Sequence, residues 1–213
     1  MVRNQLAIII PAFNEESTIQ SVIKSVAYIG RVIIVDDGSI DRTVINAAEA
    51  GAFVHSHSMN LGYDKALNTG FEIAEELGYQ FVITMDADGQ HDPNSLLEIK
   101  QILLDGYDLV VTSRNQKQRF SEYLFSIYSG MRWSITDPLS GLKGYKISLY
   151  SDLGHFDSYN SIGTELLFYA LKNKYNVFEI ETKVRPRKGF SRFGKSFITN
   201  LKILRALFFA IIF

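Results

Sequence analysis

The residues best placed to do chemistry form one short run, Asp86-Ala87-Asp88-Gly89-Gln90-His91, directly after the apolar stretch Phe81–Met85. Two carboxylates one residue apart, in a turn that leaves a buried strand, can converge on one hard divalent cation. Mg²⁺ and Mn²⁺ favour oxygen ligands and bind well to a few carboxylates plus substrate phosphates. Asp86 and Asp88 are therefore candidate metal ligands with Gln90 beside them, and His91 reads as supporting. Taken alone, Asp88-Gly89 is equally a plain turn. Two further runs end apolar strands in the same way: Pro11-Ala12-Phe13-Asn14-Glu15 and Val35-Asp36-Asp37-Gly38-Ser39. A carboxylate such as Asp37 at a strand end can accept hydrogen bonds from a ribose or a base, and Gly38 lets a ligand approach the backbone.

The elements that must position these runs alternate along the first half. Apolar strands are expected at Leu6–Ile10, Arg31–Val35, Ala52–His55, Phe81–Met85 and Leu109–Thr112. Helical patterns fall at Glu15–Ile29, Arg42–Ala50, Tyr63–Leu77 and onward from Pro93. Continuous apolar strands alternating with helices predict a parallel sheet covered on both faces. The second half is less regular. Helices are expected at Phe120–Ile135, Gly163–Asn173 and Ser196–Phe213, with strands at Leu142–Ile147 and Val177–Val184 and a mobile basic loop at Gly189–Lys195.

The 213 residues fit one domain, with 46% hydrophobic and 21% charged residues, which excludes a disordered or fibrous chain. The absence of cysteine excludes a disulfide scaffold, a thiolate zinc site and a cysteine nucleophile. The net charge of −1 is unevenly spread. Residues 1–100 carry 6 basic and 14 acidic residues, and residues 101–213 carry 16 and 9. The halves suit a cation and phosphates respectively. A pI of 6.4 and no recognised binding motif argue against nucleic acid. The apolar end of the chain, Ala206–Phe213, is too short to span a bilayer and long enough to lie on one. This divides the chain into a domain over residues 1–194 and an interfacial helix over 195–213.

Taken together, Pro-Ala-Phe-Asn-Glu, Asp-Asp-Gly-Ser, Asn60-Leu61-Gly62 and Asp-Ala-Asp-Gly-Gln resemble the family 2 glycosyltransferases with the GT-A fold. Val111-Thr112-Ser113-Arg114, Asp137-Pro138-Leu139-Ser140-Gly141 and Arg187-Lys188-Gly189-Phe190-Ser191-Arg192 bring the polyprenyl-phosphate branch closer still. The resemblance covers about residues 5–205. It implies a mostly parallel central sheet with helices on both faces and a C-terminal amphipathic helix. It also implies an inverting enzyme with a UDP- or GDP-sugar donor, Mg²⁺ or Mn²⁺, and a polyprenyl phosphate acceptor, working on the cytoplasmic face of a membrane. Many relatives continue into transmembrane helices where this chain stops in an apolar stretch.

Roles within that expectation follow from charge. Asp86 and Asp88, with Gln90, hold the metal against the leaving diphosphate. Pro11, Ala12, Asn14, Glu15, Asp37 and Asp86 line the donor, and Arg187 and Arg192 close over it as part of a lid. Arg114, Arg119 and Arg132 hold the acceptor phosphate, which is largely ionised near neutral pH and needs cations more than a base. Asp137 is a catalytic candidate beside Asp88 and Arg114, either as base or as an orienting acid. Glu165 orients the basic loop. Tyr123, Phe125, Tyr128 and Trp133 are core or a lipid-facing surface. Two other readings remain open at this level: a saccharide hydroxyl acceptor, for which Asp137 is the base, and a non-catalytic nucleotide-sugar module.

Overall fold

The computed structural model describes residues 5–114, 119–182 and 196–212, with no side-chain account of 196–198. Among the described residues seven strands form one sheet: β1 (Leu6–Ala12), β2 (Arg31–Asp36), β3 (Phe53–Ser56), β4 (Phe81–Thr84), β5 (Leu109–Arg114), β6 (Lys143–Lys146) and β7 (Val177–Thr182). Their spatial order is β3-β2-β1-β4-β6-β5-β7. All neighbouring pairs are parallel except those of β6, which runs antiparallel to both β4 and β5. Among the described residues there are eight helices: α1 (Ile19–Val26), α2 (Thr43–Glu49), α3 (Tyr63–Glu76), α4 (Pro93–Leu104), α5 (Phe120–Trp133), α6 (Ile147–Leu153), α7 (Glu165–Lys172) and α8 (Ser196–Ile212).

Alternation along β1 sends its side chains to two cores. Leu6, Ile8 and Ile10 meet α1 and α4 through Ile19, Val22, Ile23, Leu96 and Ile99. Ala7 and Ile9 meet α3, α6 and α7 through Leu67, Phe71, Leu149 and Leu166. The expected two-faced α/β sheet is what forms. A third, smaller cluster joins α5, α7 and α8 through Phe125, Phe168, Ile203, Ala206 and Ala210. One face of α8 is thus packed on the domain. Phe209 lies against Tyr159, with ring centroids 4.8 Å apart, so this side chain belongs to that packing while Phe208 points outward.

The structure differs from the sequence pattern at α1 and at β6. Helix α1 begins at Ile19 rather than Glu15, because the Asn14 and Glu15 N–H groups donate to Ser39 Oγ (2.8 Å) and Thr43 Oγ1 (2.7 Å). The expected strand at Leu142–Ile147 ends at Lys146 and runs directly into α6. Strand β6 is inserted against the parallel direction, which brings its first residue, Lys143, opposite Thr84 at the C-terminal end of β4.

Candidate active site

The strand order grows outward from β1 on one side and from β4 on the other, so the C-terminal ends of β1 and β4 form a topological switch point. Ligands of open α/β sheets bind in the crevice at such a point. Pro11 and Ala12 end β1, Asp36 ends β2, and Asp86 follows β4 there. A cavity of about 80 Å³ opens beside them, lined among others by Tyr63, Asp86, Arg114, Ser140, Gly141 and Lys143. A larger cleft of about 290 Å³ lies at the opposite end of the sheet, near Leu6, Gly30, Arg31 and Lys100. It contains none of the residues singled out above.

Asp86 is the acid exposed to this cavity, with 40% of its side chain accessible. Burial would raise its pKa. His91, whose Nε2 lies 3.4 Å from Oδ2, outweighs that together with Arg114 and Tyr63, and the carboxyl is held below its ordinary range. The Tyr63 hydroxyl, kept protonated by burial and by the charges of Asp86 and Asp64, donates to Asp86 Oδ1 at 3.4 Å. Behind the carboxylate, Gly141 leaves no room: a Cβ there would sit 2.5 Å from Asp86 Oδ2 and 2.9 Å from Oδ1. Asp88 is buried and accepts from the Gln90 N–H at 3.0 Å, which shapes the turn. Among the described residues no group of three or more His, Asp or Glu is arranged as a metal cage. The donor set nevertheless fits Mg²⁺ or Mn²⁺, since an ionised, accessible carboxylate with a second carboxylate two residues on is what such a cation needs when substrate phosphates complete its shell.

On the far side of the cavity Arg114 grips Asp137. Nε donates to Oδ2 at 2.7 Å, a terminal N–H donates to Oδ1 at 3.0 Å, and the Arg114 backbone N–H also reaches Oδ2 at 3.2 Å. Asp137 is only 3% exposed. Burial would lower the pKa of Arg114, but the bidentate pair raises it. Of the three arginines expected around an acceptor phosphate, Arg114 alone lines this cavity. Arg119 pairs with Glu122 at 2.8 Å at the start of α5, and Arg132 stacks over the Trp133 ring at 5.0 Å near its end.

Asp37, directly after β2, is held by the segment that follows β3. Its Oδ1 accepts from the Leu61 N–H at 2.8 Å and from His57 Nδ1 at 2.8 Å, and its Oδ2 accepts from the Gly62 N–H at 2.8 Å. The carboxylate thereby pins the segment that leads into α3. Its neighbour Asp36 accepts from the Ser39 N–H through Oδ2 at 3.2 Å, while the buried Oδ1 has no partner among the described residues. Asn14 Oδ1 accepts from the Ile40 N–H at 2.9 Å, which laces the first loop to the second. Glu165 is engaged with His155 and with Ser158. Arg187, Arg192 and the whole expected lid lie outside the described residues.

Three contributors were not singled out in the sequence, Tyr63, Asp64 and Lys143, and Gly141 was noted only as the end of the Asp137–Gly141 run. Tyr63 read as the first residue of a helix and Lys143 as one position in a short strand. Only the fold brings them to Asp86. Lys143 is 3% exposed, and burial pulls its pKa down to about 8, with Asp137 opposing.

The comparisons with known proteins agree with this fold. The model of glycosyl transferase family 2 matches residues 7–160. An uncharacterized protein of Methanocaldococcus jannaschii is 30% identical, over 99% of this chain and 94% of its own length. The UDP-N-acetylglucosamine–dolichyl-phosphate N-acetylglucosaminyltransferase of Methanococcus voltae is 28% identical, over 97% and 96%. Among solved structures, glucosyl-3-phosphoglycerate synthase from Mycobacterium tuberculosis, in complex with Mn²⁺, UDP and glucosyl-3-phosphoglycerate, superposes with a TM-score of 0.80 at 20% identity, covering 97% of this chain and 80% of that one. The expected GT-A fold is therefore present, and the chain belongs to glycosyl transferase family 2 and is a glycosyltransferase.

Proposed function

We propose that the chain transfers a sugar from a UDP- or GDP-sugar to a polyprenyl phosphate, with inversion, at the cytoplasmic face of a membrane and with Mg²⁺ or Mn²⁺. The observation that carries this reading is the Arg114–Asp137 pair. Both Asp137 oxygens are committed to one guanidinium, so Asp137 orients a cation and is not poised as a free base. A hydroxyl acceptor needs a base to take its proton. A phosphate monoester, with a second pKa of about 6, arrives largely ionised. A cleft edged by a held arginine suits the second acceptor, and the named activity of the Methanococcus voltae relative is of that kind.

Asp86 and Asp88, with Gln90 beside them, would hold the divalent cation, which when bound neutralises charge on the leaving diphosphate. Tyr63 and His91 orient the Asp86 carboxylate. Asp37, through Leu61, Gly62 and His57, fixes the segment over which the nucleoside rests, and Pro11, Ala12, Asn14 and Glu15 frame the crevice between β1 and β2. Arg114 directs the acceptor phosphate oxygen at the anomeric carbon. The new C–O bond forms as the bond from that carbon to the nucleoside diphosphate breaks. Arg119, Arg132, Arg187 and Arg192 remain proposed phosphate contacts, the first two reaching the cleft only by leaving their present partners.

The membrane is supported by two helices. Phe120, Tyr123, Ile127 and Met131 are exposed along one stripe of α5 at helical spacing, and Leu201, Leu204, Phe208 and Ile211 do the same on α8. Lys202 and Arg205 are also exposed on α8, and α8 carries no acid. An apolar face with basic neighbours suits an anionic lipid surface. No helix among the described residues is long and apolar enough to cross a membrane.

The test is a panel of UDP- and GDP-sugars with Mg²⁺ or Mn²⁺, offered polyprenyl phosphate or an oligosaccharide, with products read by mass. Lipid-linked sugar is expected, and Asp88→Asn should abolish it with the fold intact. Transfer to the oligosaccharide alone would replace the acceptor assignment. Full activity in excess chelator would remove the metal.

A further inference from the structure

Lys143 is a buried ammonium that the transfer scheme above does not use. It makes no ion pair within 4 Å among the described residues. Its Nζ donates to two carbonyls, Ser140 at 2.5 Å and Gly163 at 3.4 Å. These belong to two separate walls of the cleft: the segment after Asp137 and the segment before α7.

The second wall is held in an unusual shape. Asn160, Ile162 and Gly163 all have left-handed backbones, with φ of 56°, 59° and 67°. For a β-branched residue such as Ile162 this is a genuine outlier, and such residues persist only where their surroundings over-determine them. Here the determinants are visible. Asp157 accepts from the Asn160 N–H at 2.6 Å and the Ser161 N–H at 2.7 Å. Asp64, from the first turn of α3, accepts from the Gly163 N–H at 2.8 Å and the Ile162 N–H at 3.3 Å. Lys143 takes the Gly163 carbonyl from the other side. The peptide groups of Gly163 are thus gripped by an acid at one end and an ammonium at the other, while the Ile162 side chain packs into the α5–α7–α8 cluster.

We infer that Lys143 is a positioning residue for transfer, whose ammonium joins Ser140 to Gly163 and so holds the segment 160–163 as a fixed wall of the cleft. This rests on reading the cleft as the site of transfer. A buried charge with only carbonyl partners is costly to the fold; an apolar residue of similar length lifts that cost and leaves the two carbonyls without their donor. Lys143→Met therefore separates stability from positioning.

Two measurements test it in the full chain. The first is amide hydrogen exchange at Ile162 and Gly163. Protection should fall at least tenfold in Lys143→Met, with β1 and β4 unchanged. In the wild type it should fall, after correction for intrinsic rates, as pH rises through about 8. The charged groups that set this titration are Asp137, Arg114 of β5, Asp86 after β4 and Asp64 of α3. The second is turnover of donor with acceptor, followed by nucleoside diphosphate release: kcat should fall at least thirtyfold, with donor KM within twofold. Protection and kcat both within threefold of wild type would overturn the inference, and so would a loosened segment with unchanged kcat. If wild type releases nucleoside diphosphate but makes no lipid-linked sugar, the acceptor assignment fails on its own, and the same pair of measurements still decides the role of Lys143.

Discussion

Gly141→Ala is the sharpest test of the site, because the residue touches Asp86 without belonging to the acidic run. Its φ is not left-handed, so alanine can adopt the backbone, and a glycine-to-alanine change at such a position stabilises by about 0.4–1 kcal/mol through the unfolded chain. The added methyl, however, would stand 2.5 Å from Asp86 Oδ2, where ordinary contact begins at 3.4 Å. The carboxylate must retreat by the difference, about 0.9 Å. A misplacement of about 1 Å in a positioned reacting group can cost about 10²-fold in rate, or about 2.7 kcal/mol of transition-state stabilisation. The expected result is a hundredfold loss in kcat/KM, a weakened Mn²⁺ response, and a Tm within about 3 °C of wild type. Steady-state kinetics with a metal titration, alongside a thermal melt, give all three. A kcat/KM within threefold of wild type, in a folded protein, would refute the claim that the place of Asp86 is critical.

Three other outcomes follow from the same geometry. Asp37→Ala strips a charged acceptor from Leu61, Gly62 and His57; it should cost about 3 kcal/mol of stability and raise donor KM more than it lowers kcat, and an unchanged donor KM would detach Asp37 and its segment from the donor. Burial, helped by the charge of Asp157, raises the pKa of Asp64 to about 7; the folded chain then binds more protons than the unfolded chain between about pH 4 and 7, so stability should fall as pH rises through that window, and chemical denaturation of Asp64→Asn should show a flatter profile. Replacing Leu204, Phe208 and Ile211 together by Glu should abolish flotation with anionic liposomes while leaving the melt intact, whereas truncating α8 would uncover Phe125 and Phe168 and confuse the two effects.

What the sequence made legible depends on how far apart the cooperating residues lie. Strands β1, β2, β4 and β5 and the helices α3, α4 and α7 announced themselves by local apolar period, because each buries a continuous run or a single stripe. The acid-bearing turns were legible too, since a strand end and its next three residues are read in one window. The arrangement of Arg114 with Asp137, of Gly141 with Asp86, and of Lys143 with Gly163 was not. Each pair spans 20 to 55 positions and meets only through the reversed strand β6, whose four residues carry no period of their own. The partners of Asp37 at 57, 61 and 62 were hidden for the same reason: they lie beyond the next strand. Helix α6 was hidden because it follows β6 without a turn signal.

The reversal of β6 has a consequence for how this enzyme can change. Arg114 leaves the sheet and Lys143 re-enters it at the same rim, on adjacent antiparallel strands. Residues 119–142, with α5 and Asp137 among them, belong to the arc that joins these two strands. Lengthening such an arc costs little, since closure entropy grows only with the logarithm of its length, and the register of every strand is set outside it. On the acceptor assignment proposed above, acceptor recognition would be carried on an exchangeable module, while Asp86 follows β4 in the sheet frame. Grafting the arc from a relative with another acceptor, cut at Arg114 and Lys143, offers a route to redirect the sugar without disturbing β1, β2 and β4.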